Sequence, residues 1–273
     1  MLTRPIKGLL RLFGLLPLAA RLRYSVQQMA GRLRYSVQQI RYRGQAAGLP
    51  IPPLRLNFLV TGTQSVDWYV KSGWLAAQSI RFALERNGVR VEDLTSILDF
   101  GCGSGRVIRH WRPLTAAVHG TDYNSDLIRW CERNLPFATF QTNDVRPSLQ
   151  YPDGSFDLIY ALSVFTHLDE EHQDAWMREL RRTLKPTGYL IITTHGPCPF
   201  YLSRLTAEER AAFDRGALIV RPQGVHGGNA FMAFHAVEYV KTRLVKDLVM
   251  VDYLAGGAFG NPYQDLWLLK KPG

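Results

Sequence analysis

The stretch "SILDFGCGSGRV", residues 96–107, decides how the chain is read. A short apolar run without helical period ends in three closely spaced glycines, then gives way to residues that can turn helical. Strand, glycine loop, helix is the opening of a nucleotide-binding α/β unit. Working outward, further apolar runs stand at 116–121, 137–141, 156–162 and 189–194, with helical patterns at 74–85, 125–134 and 170–184. Asp169 can cap the last helix, Trp176, Leu180 and Leu184 form its stripe, and "KPTG", 185–188, stops it. Five strands alternating with helices imply a parallel sheet covered on both faces.

The glycines also narrow the ligand. A dinucleotide site asks for GxGxxG, whereas Gly101, Gly103 and Gly105 are followed here by Arg106, and Asp99 stands two places before the first glycine. This Asp-x-Gly-x-Gly-x-Gly pattern comes in order with "HGTDYN" (119–124), "QTNDV" (141–145), "FDLIYALSVFTHL" (156–168) and "LRRTLKPTGYLIITT" (180–194). Together these resemble the class I S-adenosylmethionine-dependent methyltransferases, over about residues 70–195. The resemblance implies a Rossmann-like α/β fold, a seven-stranded, mostly parallel sheet with helices on both faces. It implies S-adenosyl-L-methionine as cofactor, with Asp99 helping to hold the amino group of its methionine part. The glycines would let the backbone approach that part closely. Asp122 would take the ribose hydroxyls, Asp144 and Val145 the adenine, and Ser163 to Leu168 would line the cofactor and the substrate mouth. Cys102 and Tyr123 fall within these loops and go with them to the cofactor.

After Thr194 the pattern changes. Residues 195–246 read as an insertion that covers the cofactor and shapes the acceptor pocket, ahead of apolar runs at 248–254 and 266–270 that fit a closing antiparallel hairpin. Methyl transfer from a sulfonium is an in-line displacement governed by positioning. A hydroxyl acceptor also needs a base, for which histidine suits neutral pH, with a rate rising through an ionisation near 6.5. His167, after the fourth strand, is the first choice, His195, after the fifth, the second, and His235 a third; for any one of them taken alone, a loop histidine bonded to backbone is the commoner case. His195, His226 and His235 match no metal-ligand spacing, so no metal is expected. "ALSV", 161–164, stands where amino-group methyltransferases of DNA bases or protein glutamine carry Asn/Asp-Pro-Pro-aromatic. The acceptor expected is a small molecule, a glycan or a lipid-linked compound, methylated at oxygen. The alternative is a catalytically silent member that binds cofactor or a partner.

Charge divides the chain. Of 33 Lys and Arg, ten precede the first acid, Asp67, which leaves 23 to match the 23 acids, so the net +10 describes the N-terminal quarter alone. The neutral remainder offers no electrostatic footprint for nucleic acid. In "RLRYSVQQMAGRLRYSVQQIRYR", 21–43, one octapeptide occurs twice, eleven residues apart. Its Leu22, Val26, Met29, Leu33, Val37 and Ile40 fall within an arc of about 80° at helical spacing, bordered by arginines. With the apolar residues before it, the span 9–43 reads as an interfacial helix on an anionic membrane face. A self-association seam, packing on the domain and a disordered basic tail are the alternatives. The run 12–20 is too short to span a bilayer. Cleavage as a signal is disfavoured because the cofactor is made and used inside cells. Cys102, Cys131 and Cys198 suggest neither a disulfide framework nor a zinc knuckle. The expectation is a cytoplasmic protein, peripheral on the inner face of the membrane, with an extension and proline linker at 1–54 and a catalytic domain at 55–273.

Overall fold

A computed structural model describes residues 48–273 except 225, 226 and 229. The basic stripe at 9–43, the apolar run at 12–20 and His226 therefore lie outside the described residues.

Strand β1 (Ser96–Phe100) sits near the middle of the molecule, and Ile97 to Phe100 are each at most 3% exposed. Side chains alternate across a strand, so Leu98 and Phe100 enter one core and Ile97 the other. β2 (Ala117–Asp122), β3 (Thr139–Thr142), β4 (Phe156–Ala161) and β5 (Leu184–Thr194) complete the parallel part. A small sheet of β6 (Leu218–Arg221) and β7 (Met232–His235) precedes the closing strands β8 (Val249–Leu254) and β9 (Asp265–Lys270). The main sheet has the order β3-β2-β1-β4-β5-β9-β8, with β9 antiparallel to both β5 and β8. The seven-stranded, mostly parallel sheet and its antiparallel hairpin thus agree with the sequence.

Helices cover both faces. Helix α1 (Leu54–Thr61) leads into α2 (Val66–Glu85), which packs with α3 (Ser125–Asn134) on one face; α4 (Glu170–Thr183) and the helical stretch over 237–244 pack on the other. The insertion carries α5 (Pro199–Leu202), α6 (Ala207–Asp214) and the β6–β7 hairpin. The segment 49–54 lies against the domain: Leu49 is buried beside α2, and the Arg109 guanidinium donates to the Pro50 carbonyl.

Three local readings change. Helix α2 starts at Val66, eight residues before the sequence pattern suggests, because Ser65 Oγ accepts from the Trp68 N–H and caps it. The pattern hides this start because Gly73 interrupts it; a Cβ there would stand 2.3 Å from the Arg106 carbonyl oxygen. Past the glycines the chain makes only a 3-10 turn, Ile108–Trp111, where a helix was expected. Pro113, lacking an N–H, stops any longer one. Finally α4 ends at Thr183 and β5 begins at once, with Leu184 paired to Phe156 and Thr187 at φ 61° within "KPTG".

Candidate active site

The strand order reverses beside β1, and the glycine loop leaves the carboxyl end of that strand into the crevice where ligands of open α/β sheets bind. Gly101 turns at φ 79° and donates its N–H to the Thr121 carbonyl at 2.8 Å, which fastens the loop to the end of β2. Its missing side chain has a second use. A Cβ at Gly101 would stand 2.4 Å from Val164 Cγ2, and one at Gly103 would stand 2.9 Å from Val60 Cγ2. The glycines therefore admit α1 and the β4 exit over the loop, besides leaving its backbone open.

A cavity opens on this loop, lined among others by Asp99, Gly101, Cys102, Gly103, Asp122, Tyr123, Ser163 and His167. Asp99 is 3% exposed, and burial pushes its carboxyl up to about 8, although a hydrogen bond from Tyr160 and the charge of Arg106 pull the other way. Tyr160 is held in turn by Trp111 Nε1 at 2.8 Å. Asp122 ends β2 with both oxygens engaged: Oδ2 accepts from the Gly103 N–H and Oδ1 from the Asn124 N–H, each at 2.9 Å. Each carboxylate oxygen keeps a second lone pair for an incoming hydroxyl. The Asp122 carboxyl also sits above its ordinary value through burial, opposed by those two bonds.

A side pocket continues past Tyr123 between Phe100, Val145, Leu168 and Trp176, with Asn143 and Asp144 at its edge. Phe100 and Trp176 meet at 4.5 Å between ring centres with their planes tilted by 47°, and Trp176 Nε1 donates to the Val145 carbonyl at 3.2 Å. The slot is apolar and narrow, and it carries one unpartnered buried acceptor, Asn143 Oδ1. The exposed Asp144 bonds its own loop, accepting from the Val145 N–H at 2.6 Å. Sequence reasoning passed over Asn143, although it stands inside the quoted "QTNDV".

The two leading histidines come together, His167 and His195 rings lying 6.2 Å apart and perpendicular. His167 lines the cavity, and its Nδ1 is 2.6 Å from the Phe231 carbonyl. A carbonyl only accepts, so Nδ1 carries the proton and Nε2 keeps its lone pair. Burial lowers its pKa, against that bond, so the ring is neutral at pH 7 and its ionisation falls below the 6.5 expected from sequence. His195 lies outside the lining of this cavity and of the second one described next. Its Nδ1 meets the Ala233 carbonyl at 3.1 Å, its Nε2 is 3.4 Å from Gln264 Nε2, and burial holds its pKa down to about 3. His235 is fully buried with Nε2 on Gln173 Oε1 at 3.1 Å, a core position. Among the described residues no three His, Cys, Asp or Glu side chains converge as metal ligands.

A second cavity adjoins the first. Thr61, Trp68, Tyr201, Pro262 and Gln264 line it, and Val60, Arg106, Ser163 and Asn261 belong to both walls. Ser163 sits at φ 60°, held there by its N–H on Thr193 Oγ1 at 2.7 Å. Gln264 donates to Ser163 Oγ at 2.9 Å while accepting from Thr193 Oγ1 at 2.7 Å. The Ser163 hydroxyl accepts from Gln264 and also meets Thr166 Oγ1 at 3.3 Å; with Thr166 as the donor there, the Ser163 proton can turn to the cavity. Gln264, Asn261 and Tyr201 carried no sequence signal beyond lying in the unread C-terminal third.

Residues 98–192 match the family model described as "Methyltransferase domain". Over this segment the chain carries a methyltransferase domain, and its sheet has the fold of solved S-adenosylmethionine-dependent methyltransferases. Among curated relatives of this methyltransferase domain, a phosphoethanolamine N-methyltransferase of Plasmodium falciparum is 29% identical over 132 residues, 46% of this chain and 47% of that one. A fatty-acid O-methyltransferase of Mycolicibacterium smegmatis is 34% identical over 107 residues, 37% of each chain. The matched segment thus spans less than half of either relative. A solved S-adenosylmethionine-dependent methyltransferase of Methanosarcina mazei superposes with a TM-score of 0.50 at 23% identity, covering 66% of this chain and 93% of the other, which speaks to the fold.

Proposed function

We propose that the chain transfers a methyl group from S-adenosylmethionine to an oxygen of a small-molecule, glycan or lipid-linked acceptor. The observation that carries this reading is the meeting of two cavities at Ser163, with the lone-pair-bearing His167 on the wall of the first. The residues present fit the cofactor. Asp122 has lone pairs for two ribose hydroxyls, the Phe100–Trp176 slot suits a flat ring, and the unpartnered Asn143 Oδ1 can accept from an amino group. Asp99 offers a buried carboxyl to the ammonium of the methionine part, whose positive charge would favour its ionised form. Gly101 and Gly103 would present open backbone to the same end, with Cys102, Tyr123, Asp144 and Val145 completing the lining, whereas Gly105 lines none of these cavities and lacks a side chain because Leu135 packs against it. When bound, the cofactor supplies an electrophilic methyl carbon on a sulfonium.

The chain's own residues do the rest. Ser163 orients the acceptor by donating a hydrogen bond, and His167 Nε2 takes the hydroxyl proton as the oxygen attacks. Thr193 and Gln264 hold Ser163 in place, and His195 acts behind them through its contact with Gln264. The insertion at 195–246 would cover this region, and residues 55–273 would act as the catalytic unit. The segment 1–54 would attach it, through the stripe at 9–43, to the anionic inner face of a membrane; no described helix is long and apolar enough to cross one. Labelled cofactor incubated with sugar, phenol, quinone and lipid-linked acceptors tests the activity. Transfer to at least one class is expected, and bound cofactor with no transfer to any would favour a silent binder.

A further inference from the structure

Arg106 directly follows the third glycine, and its backbone is pressed against α2 where Gly73 leaves no side chain, so the direction of its own side chain is fixed. It is 9% exposed and belongs to the lining of both cavities. Its guanidinium donates to the Gly260 carbonyl at 3.2 Å and to Asn261 Oδ1 at 3.1 Å. Both acceptors are neutral and both bonds are long for a charged donor, whose bonds to carboxylates run about 2.7–2.9 Å.

A buried cation is costly unless it is paired, and among the described residues Arg106 forms no ion pair. The acidic groups that act on it, the phenols Tyr69 and Tyr160 and the carboxyl of Asp99, are all raised by burial, Asp99 to about 8, and so all are protonated at neutral pH. Burial correspondingly pulls Arg106 below its ordinary value. Five N–H donors in a planar fork, only two of them engaged, facing the junction of two cavities, suit a planar oxyanion.

We propose that Arg106 binds a carboxylate at the junction of the two cavities. This rests on the methyltransferase reading of the site. Two ligands bring that group: the amino-acid end of the cofactor and an acceptor that is itself a carboxylic acid. Either would complete the counter-charge that Asp99 does not provide, and the Gly260 and Asn261 contacts would keep the fork aimed.

Titration calorimetry on the full-length protein separates the sources. In the first arm, S-adenosylhomocysteine is compared with its decarboxylated analogue and with adenosine. In the second, with S-adenosylhomocysteine saturating, octanoate is compared with octanol. The expected result is a preference of about tenfold or more for the carboxylate in one arm, lost in Arg106→Gln and partly kept in Arg106→Lys. Preference in the first arm assigns the residue to the cofactor, and in the second to the acceptor. No preference in either arm, or one that persists in Arg106→Gln, overturns the proposal while adenosine binding leaves the cofactor reading standing. Failure of adenosine and S-adenosylhomocysteine alike to bind overturns both. Should Arg106→Gln not fold, the wild-type comparison and Arg106→Lys still decide.

Discussion

The first cavity draws its walls chiefly from the carboxyl ends of β1, β2 and β4, strands that are neighbours in the sheet. The second gathers α1, the start of α2, α5, the β4 exit and the loop before β9, pieces separated by up to two hundred residues. In the first, backbone bonds between adjacent strands set the loop, Gly101 and Cys102 both donating to the Thr121 carbonyl, and the Asp122 carboxylate then ties down Gly103 and Asn124. In the second, side chains place one another: Thr193, Gln264 and Ser163 form a closed set in which each fixes the next. A site built on a sheet edge is set by topology, whereas one assembled from connections depends on each contact.

The largest test of this contrast concerns His167, on the wall of the first cavity. His167→Ala is expected to lower turnover with an identified acceptor by about 10²–10⁴-fold while cofactor affinity measured by calorimetry stays within about twofold. In the wild type, activity should rise with pH through an ionisation below 6.5 and be flat by neutrality, because burial favours the neutral base. A fall in cofactor affinity equal to the fall in rate would place His167 in the first cavity's binding set instead.

Asp122→Ala should come next. It removes the partners of two loop N–H groups together with those of the ribose hydroxyls, for a loss of about 3 kcal/mol, or roughly a hundredfold in Kd for S-adenosylmethionine. Unchanged affinity would break the ribose assignment.

These two residues also mark what the sequence could reveal. Asp122 stands at a fixed distance past the glycines because a parallel strand must run beside β1, so its place was legible. So were five parallel strands and the closing hairpin, whose apolar runs are bounded by turns. The β6–β7 hairpin was not, since its four-residue strands are only half-buried on β6 and carry too few alternations to register. His167 and His195 were named together, but only the three-dimensional contacts to Phe231, Ala233 and Gln264 separate an open lone pair from an occupied one. Gln264 was invisible because nothing local in "GNPYQDL" announces its contact with Thr193, 71 positions away.

A smaller effect probes packing between α2 and the glycine loop. Helix propensity alone favours Gly73→Ala by about 1 kcal/mol. The Arg106 carbonyl, 2.3 Å from the new Cβ, reverses that sign, and a net loss of about 1–3 kcal/mol in chemical denaturation is expected. A stabilised variant would show that the loop yields to α2.

The smallest effect is electrostatic. Asp99 keeps its proton in the folded state up to about 8, whereas an ordinary carboxyl loses it near 3.8. Between those values the folded chain binds more protons than the unfolded one, so stability of the cofactor-free protein should fall as pH rises across that window. Asp99→Asn should flatten this slope and raise the melting temperature at pH 7.5 by a few degrees, on the order of 1 kcal/mol, while weakening cofactor binding. A lower melting temperature would mean that the Arg106 charge outweighs burial.

Arg106 ties residue 106 to Gly260 and Asn261, and Phe259 donates its N–H to Ser79 Oγ at 2.8 Å. During synthesis, the glycine loop leaves the ribosome more than 150 residues before the chain that completes its wall. A growing polypeptide could pair β1 with β2 and display every motif of the nucleotide site, yet hold Arg106 without its fixed partners and Gln264 not yet made. Competence would then arrive in a single late event, the insertion of β9 between β5 and β8, which delivers the last strand and the last wall together.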